Sequence, residues 1–139
     1  MEMGLIDLLI RHEGIKLKPY RCTSNKITIG IGRNLEDRGI TKEEAIYLLN
    51  NDIHSFHEQL LDKFSFYKYL EGARRDAILN LAFNIGVYSL SKFVKALSYM
   101  EEKQYEKAAD EFMDSKWARQ VGSRSTEVTD MIRYNTYPT

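Results

Sequence analysis

Apolar residues early in the chain recur at helical spacing. Leu5, Ile6, Leu9 and Ile10 share one face, which predicts a helix over Met3 to Arg11. Gly14 permits a sharp exit from it. From Lys16 to Ile31 the period shortens toward two, with Ile27, Ile29 and Ile31 alternating with Thr28 and Gly30. Ser24-Asn25 between the two β-like runs suits a hairpin turn. Arg33 to Gly39 is polar and reads as a loop. Thr41-Lys42-Glu43-Glu44 is a capping-box pattern, in which a threonine oxygen caps the new helix while Glu44 reaches back. That helix runs to about Asp62, with Ala45, Leu48, Leu49, Ile53 and Phe56 as its inner face.

Beyond this point the pattern is helical throughout. Glu71 to Ile85 carries Ala73, Ala77, Ile78, Leu81, Ala82 and Ile85 at helical spacing. Ser91 suits the cap of a helix containing Phe93, Val94, Leu97 and Met100. Tyr105, Ala108, Ala109 and Phe112 mark another, and Ser123 suits the cap of the last, with Val128, Met131 and Ile132. No repeat or low-complexity segment interrupts the order. The expected class is α+β: a small β-containing lobe over about 12–41, a connecting helix over about 42–62, and a helical lobe over about 63–139 joined by the N-terminal helix. A cleft between unlike lobes is a common place for a binding site.

Composition narrows the function classes. The 139 residues are 43% hydrophobic and 29% charged, an ordinary globular balance. Lys plus Arg and Asp plus Glu are both 20, so no basic excess points to a nucleic-acid partner. Residues 1–62 carry 8 basic and 10 acidic side chains, and residues 63–139 carry 12 and 10. The resulting −2 and +2 offer slight support for an anionic partner on the second lobe. One cysteine, Cys22, excludes an internal disulfide and a cysteine-rich zinc site. His12, His54 and His57 have no metal-ligand partners at convincing spacing, so no metal or organic cofactor is expected. No apolar run approaches the roughly 18 residues of a membrane span. Leu5 to Ile10 is interrupted by Asp7 and lacks a basic leader, unlike a secretory signal. The expectation is a soluble monomer made in a reducing compartment.

The residues suited to chemistry come early. Eight residues separate Glu13 from Cys22, and five separate Cys22 from Thr28. Glu13 would leave the end of the first helix, with Cys22 and Thr28 on either side of the hairpin turn. Three side chains able to donate, accept or hold protons would then face one cleft. Glycosidic hydrolysis needs such a set: an acid for the leaving oxygen, and a group opposite it to activate water or attack carbon. Taken singly, each has a bland reading as a solvated helix-end carboxylate, a small buried thiol or an ordinary strand threonine.

Taken together, Glu13, Cys22 and Thr28 resemble the catalytic set of the phage-type lysozymes (glycoside hydrolase family 24): Glu, eight residues, Asp or Cys, five residues, Thr. The resemblance continues through Thr28-Ile29-Gly30-Ile31-Gly32 and Gly39-Ile40-Thr41-Lys42-Glu43-Glu44-Ala45. It returns in Arg74-Arg75, Ala82-Phe83-Asn84-Ile85-Gly86, Lys116-Trp117 and Ser123-Arg124, so it spans nearly the whole chain in order. It implies a lysozyme-like fold and a muramidase that cuts the β-1,4 bond between N-acetylmuramic acid and N-acetylglucosamine in peptidoglycan strands.

In that reading Glu13 is the general acid, which requires a carboxyl that keeps its proton at working pH. Thr28 orients water, and Arg124 matches an arginine that orients the acid. Cys22 stands where many members carry Asp; as a thiolate it serves as base or nucleophile. Phe83 and Asn84 match positions beside the cleft, with Phe83 either packing on sugar rings or filling core. Trp117 matches a core tryptophan. Arg33 replaces a family histidine, and Asp52 matches its aspartate partner, so an Arg33–Asp52 tie is expected. The chain is shorter than the T-even member of the family, chiefly between Leu35 and Gly39, where a third strand and small helix must be trimmed.

Relatives with Cys at this position often carry a membrane-anchoring export segment, and none is recognisable here. The implied route is accumulation in a host bacterial cytoplasm, then passage through a holin-type pore to the wall. Two rival readings remain. A lytic transglycosylase needs a single acid and no water-activating pair. A glycan- or partner-binding protein on the same scaffold would not need the intact Glu13.

Overall fold

The computed structural model describes residues 3–139. The chain is divided into two units, Met1–Leu48 and Leu49–Thr139. In the first, the early apolar run forms α1 (Leu5–Glu13). The Asp7 carboxylate accepts the Gly4 N–H at 3.2 Å, and Gly14, at φ 74°, ends the helix by donating its N–H to Ile10 O. Strands β1 (Lys16–Arg21), β2 (Ile27–Gly30) and β3 (Arg33–Asn34) then form an antiparallel sheet in the order β1-β2-β3. Tyr20 faces Thr28 and Arg21 faces Ile27; the β1–β2 register shifts between Lys16 and Tyr20, around Pro19. A proline has no N–H for a ladder and suits an irregular edge strand.

The polar run after β2 is not the expected loop. Arg33–Asn34 pair with β2, and Leu35–Arg38 form a one-turn helix, α2, whose Asp37 N–H is capped by Asn34 Oδ1 at 3.0 Å. The trimmed third strand and small helix are thus retained in shortest form. They lack an apolar period because so few of their residues need to bury anything. Helix α3 (Lys42–Lys63) begins as expected: Thr41 Oγ1 accepts the Glu44 N–H at 3.1 Å, and Glu44 Oε1 accepts the Thr41 N–H at 2.8 Å. α3 continues into the second unit. Among the described residues of the first unit, Thr28 is the one buried side chain.

The second unit holds the hydrophobic core. Helices α4 (Gly72–Ile85), α5 (Val87–Leu90), α6 (Val94–Glu101), α7 (Tyr105–Met113), α8 (Lys116–Val121) and α9 (Ser123–Tyr134) follow a short 3-10 turn at Tyr67–Tyr69. α4 packs on α9, and α7 packs on α6 and α9. Ala77, Ala82, Ala108 and Ala109 are fully buried, and such small residues let helix axes approach closely. Ile78, Leu81, Leu90, Phe112 and Ile132 fill the space between them. Tyr67 is buried with its hydroxyl 2.7 Å from His57 Nδ1, and burial pushes its phenol up to about 12. Arg74 closes the end of α9, donating to Ile132 O and Arg133 O while stacking 3.9 Å over the Tyr105 ring.

Two expected caps differ. Ser91 hydrogen-bonds back to Tyr88 O, while Phe93 precedes α6. Gly122, at φ 63°, occupies the cap position of α9, and Ser123 begins the helix. Helix α8 has a cap of its own, Ser115, which accepts the Ala118 N–H at 3.2 Å. The fold is α+β, with one three-stranded antiparallel sheet and nine α-helices among the described residues. None of those helices is long and apolar enough to cross a membrane.

Candidate active site

Glu13 is the last residue of α1, where the chain turns at Gly14 toward β1. Its side chain lies over Gly32, in the tight connection between β2 and β3. A β-carbon built on Gly32 would stand 2.9 Å from Glu13 Oε2. Gly32 has φ +71°, a left-handed conformation that itself favours glycine. The glycine-punctuated strand therefore leaves room for the carboxylate as well as making the turn.

Cys22 and Thr28 are brought together by the hairpin. Cys22 O accepts the Asn25 N–H at 2.8 Å and Cys22 N–H donates to Lys26 O at 3.0 Å, while Asn25 takes φ 61°. This is a three-residue hairpin loop, with asparagine tolerating the left-handed position. Thr28, 3% exposed, donates its hydroxyl to Lys26 O at 2.9 Å. The half-buried Cys22 thiol is held below its ordinary pKa by the Lys26 main-chain N–H, then by the Thr28 hydroxyl and the Ser24 N–H. The main-chain N–H donors stabilise a thiolate, which is the reactive form, and the Thr28 hydroxyl adds to them when it turns from Lys26 O to the sulfur.

Arg33 departs from expectation. Its guanidinium forms a bidentate pair with Glu44, Nη1–Oε1 at 2.9 Å and Nη2–Oε2 at 2.7 Å, and also donates to Gly39 O at 3.1 Å. Glu44, not Asp52, takes up Arg33. The same carboxylate serves the capping box, so two kinds of donor converge on it. Asp52 lies exposed on α3. Glu44 falls to about 2, chiefly through the Arg33 hydrogen bonds and next through the Thr41 N–H.

In the second unit Arg124, in the first turn of α9, directs Nε and Nη2 to Asn80 Oδ1 at 3.1 and 2.9 Å. Both residues line a cavity of about 450 Å³ with Phe83, which is 44% exposed and meets Phe56 edge-on at 5.7 Å. Tyr137 lines it too and hydrogen-bonds to Asp76. Asn84 is placed differently from Phe83: its Oδ1 accepts the indole N–H of buried Trp117 at 2.8 Å. Spacing carries no signal for Asn80; Gly32 stands in the sequence pattern only as part of the Thr28–Gly32 run, and Glu44 only as half of a capping box. Among the described residues, no cluster of three or more His, Cys, Asp or Glu could hold a metal ion.

The hairpin that joins Cys22 to Thr28, and the acid-bearing helix end before it, coincide with a family match. The Phage lysozyme family model covers residues 10–131. The chain belongs to the phage lysozyme family. It is a lysozyme-type glycoside hydrolase. Similar proteins include probable T4-type lysozyme 2 of Dictyostelium discoideum, 31% identical over 98% of this chain and 97% of that protein. An endolysin of Acyrthosiphon pisum secondary endosymbiont phage 1 is 33% identical over 95% of this chain and 89% of its own length. Probable T4-type lysozyme 1 of Dictyostelium discoideum is 28% identical over 98% and 97%. This member of the family thus aligns along nearly all of each of these relatives.

Proposed function

We propose that the protein is an endolysin-type muramidase that hydrolyses the β-1,4 bond between N-acetylmuramic acid and N-acetylglucosamine in peptidoglycan, the chain acting as a single lysozyme-like domain. Glu13 is the general acid for the leaving oxygen. Thr28 orients the attacking water and Cys22, as thiolate, accepts its proton; inversion at the anomeric carbon follows from that division of labour. Arg124 has an orienting role, with Asn80 holding its fork, and Phe83 offers an aromatic face to a sugar ring. Asn84 has a structural role, accepting the Trp117 indole N–H. The enzyme works as a monomer without metal or organic cofactor, reaching the wall from a host cytoplasm through a holin-type pore.

The observation that carries this reading is the hairpin that closes Cys22 onto Lys26 and sets buried Thr28 beside it, in surroundings that lower the Cys22 pKa. It supports a thiol more readily ionised than an ordinary one beside a threonine, an arrangement suited to water activation. A lytic transglycosylase would need neither group.

Lysis of permeabilised cells, followed as loss of turbidity, tests the assignment. Glu13→Gln is nearly isosteric and removes the donated proton, so it should abolish lysis while leaving the thermal midpoint close to wild type. A Glu13→Gln variant with near-normal lysis would sink the acid assignment. Mass spectrometry of the digest should show reducing ends; 1,6-anhydro-muramic ends would establish the transglycosylase instead.

A further inference from the structure

β3 is two residues long, and its last register pair with β2 is Asn34 opposite Thr28. The next residue of β2 toward the hairpin turn, Ile27, therefore lies beyond the end of β3. Its main-chain N–H is instead taken by a side chain: Glu36 Oε1, from the first turn of α2, accepts it at 2.9 Å. The same Oε1 lies 3.4 Å from Nη1 of Arg21, the residue directly opposite Ile27 on β1. Arg21 Nη1 also donates to Asn25 O in the turn at 3.2 Å. Glu36 Oε2 is 4.0 Å from Lys26 Nζ, which also pairs with Asp37 at 3.4 Å.

One carboxylate thus grips both strands at the Arg21–Ile27 rung, and that rung abuts the turn. Cys22 follows Arg21 and Thr28 follows Ile27. Exposed ion pairs contribute little singly, whereas a charge-assisted bond to a main-chain N–H at a ladder end is stronger and directional. We propose that Glu36 is a positioning residue: it supplies the acceptor that the shortened β3 lacks, clasps the Arg21–Ile27 rung, and so holds Cys22 and Thr28 in register.

The clasp gains catalytic meaning from the roles of Cys22 and Thr28 proposed above. The main-chain bonds Cys22 N–H to Lys26 O and Asn25 N–H to Cys22 O hold Cys22 in the closed turn, whose main-chain donors lower its pKa, so the reactivity of this thiol reports on the clasp. The chain has one cysteine, so alkylation reads Cys22 alone. The charged groups that pair about the turn are Arg21, Lys26, Glu36 and Asp37, with Lys16 and Lys18 farther along β1.

The test uses the whole chain and four proteins: wild type, Glu36→Ala, Glu36→Gln and Asp37→Ala. Glu36→Ala should speed Ile27 amide exchange by about tenfold or more, the equivalent of one hydrogen bond to a charged group. It should raise the pH midpoint of iodoacetamide alkylation and lower kcat on cell-wall substrate, with KM little changed. Glu36→Gln keeps an oxygen acceptor for the Ile27 N–H and should restore all three. It also keeps the test open if the alanine variant does not fold. Asp37→Ala, which touches Lys26 and Asn34 but not Ile27, should leave Ile27 exchange at its wild-type rate. Wild-type exchange, alkylation and kcat in Glu36→Ala would overturn the clasp. So would a glutamine variant that behaves no better than alanine. Altered exchange and alkylation with unchanged kcat would uphold the clasp and overturn the catalytic role given to Cys22.

Discussion

The carboxyl group of Glu13 lies where a side chain on Gly32 would project, so that a β-carbon there would meet Oε2 at 2.9 Å and the carboxyl carbon at 3.0 Å. Gly30, two residues earlier, has nearly the same φ, +72° against +71°, yet a β-carbon on it would meet nothing within 4 Å. The two glycines share a backbone conformation and differ in what a side chain would strike.

That difference makes a controlled comparison. Gly30→Ala and Gly32→Ala should lose similar thermal stability, because both place alanine in the left-handed region. Gly32→Ala alone should displace Glu13, and kcat should fall at least about tenfold further than in Gly30→Ala, since small misplacements of reacting groups are costly. Equal losses of kcat would confine the role of Gly32 to the backbone.

The Arg33–Glu44 pair should make stability pH-dependent in acid. The folded pKa of Glu44, about 2, lies below its ordinary 4.5. Its contribution is therefore complete above the ordinary value and is lost as pH falls from there toward 2. Thermal midpoints measured across that window should drop more steeply in wild type than in Glu44→Gln. Parallel curves would show that the pair contributes nothing to folding. A double-mutant cycle of Arg33→Met with Glu44→Gln should show coupling, in place of the tie first expected with Asp52.

Asn84→Leu should act on stability rather than on substrate. Trp117 is 6% exposed, and its indole N–H has Asn84 Oδ1 as acceptor. Leaving a buried donor unpaired costs about 1–3 kcal/mol. Denaturant unfolding should record that loss with KM unchanged; a raised KM at wild-type stability would instead place Asn84 in contact with the glycan.

Cys22 can be tested by exchange of its chemistry. Cys22→Asp should keep substantial lysis, because a carboxylate can take the same proton. Cys22→Ser should be severely impaired, and alkylation should inactivate, with bound oligosaccharide protecting. Full activity in Cys22→Ala would return the residue to a small turn-filling role. NMR of the product early in the reaction should show inversion; retention would assign Cys22 as a nucleophile forming a glycosyl-thioether.

Legibility from sequence followed the range of the interactions involved. The Thr41–Glu44 box, the Gly14 exit and the hairpin between Lys16 and Gly30 depend on atoms a few residues apart, and each formed as the pattern predicted. Helices α4 and α7 followed from apolar periods of sufficient length. The placement of Glu13 at a helix end and of Cys22 and Thr28 on one hairpin was readable because each depends on local spacing. The segment after Gly32 departs from the expected loop because a two-residue strand and a one-turn helix carry no period. They are held by Asn34 capping Asp37 and by Glu36 reaching Ile27, contacts that exist only once the sheet has formed.

The amino-acid order by itself determined the α+β class, the succession of elements, and the placement of Cys22 and Thr28 on one hairpin. Tertiary structure decided which partner each long or polar side chain would find. Glu44 and Asp52 are both carboxylates on α3, eight residues or about 12 Å apart along its axis. Only the position of β3 beside the start of that helix selects Glu44 for Arg33. In the same way, the packing of α8 against its neighbours brings the Trp117 indole to Asn84, and the fold of α9 beside α4 turns Arg124 onto Asn80. A short-range period can specify a face. The choice among similar partners on that face depends on distances set by distant parts of the chain.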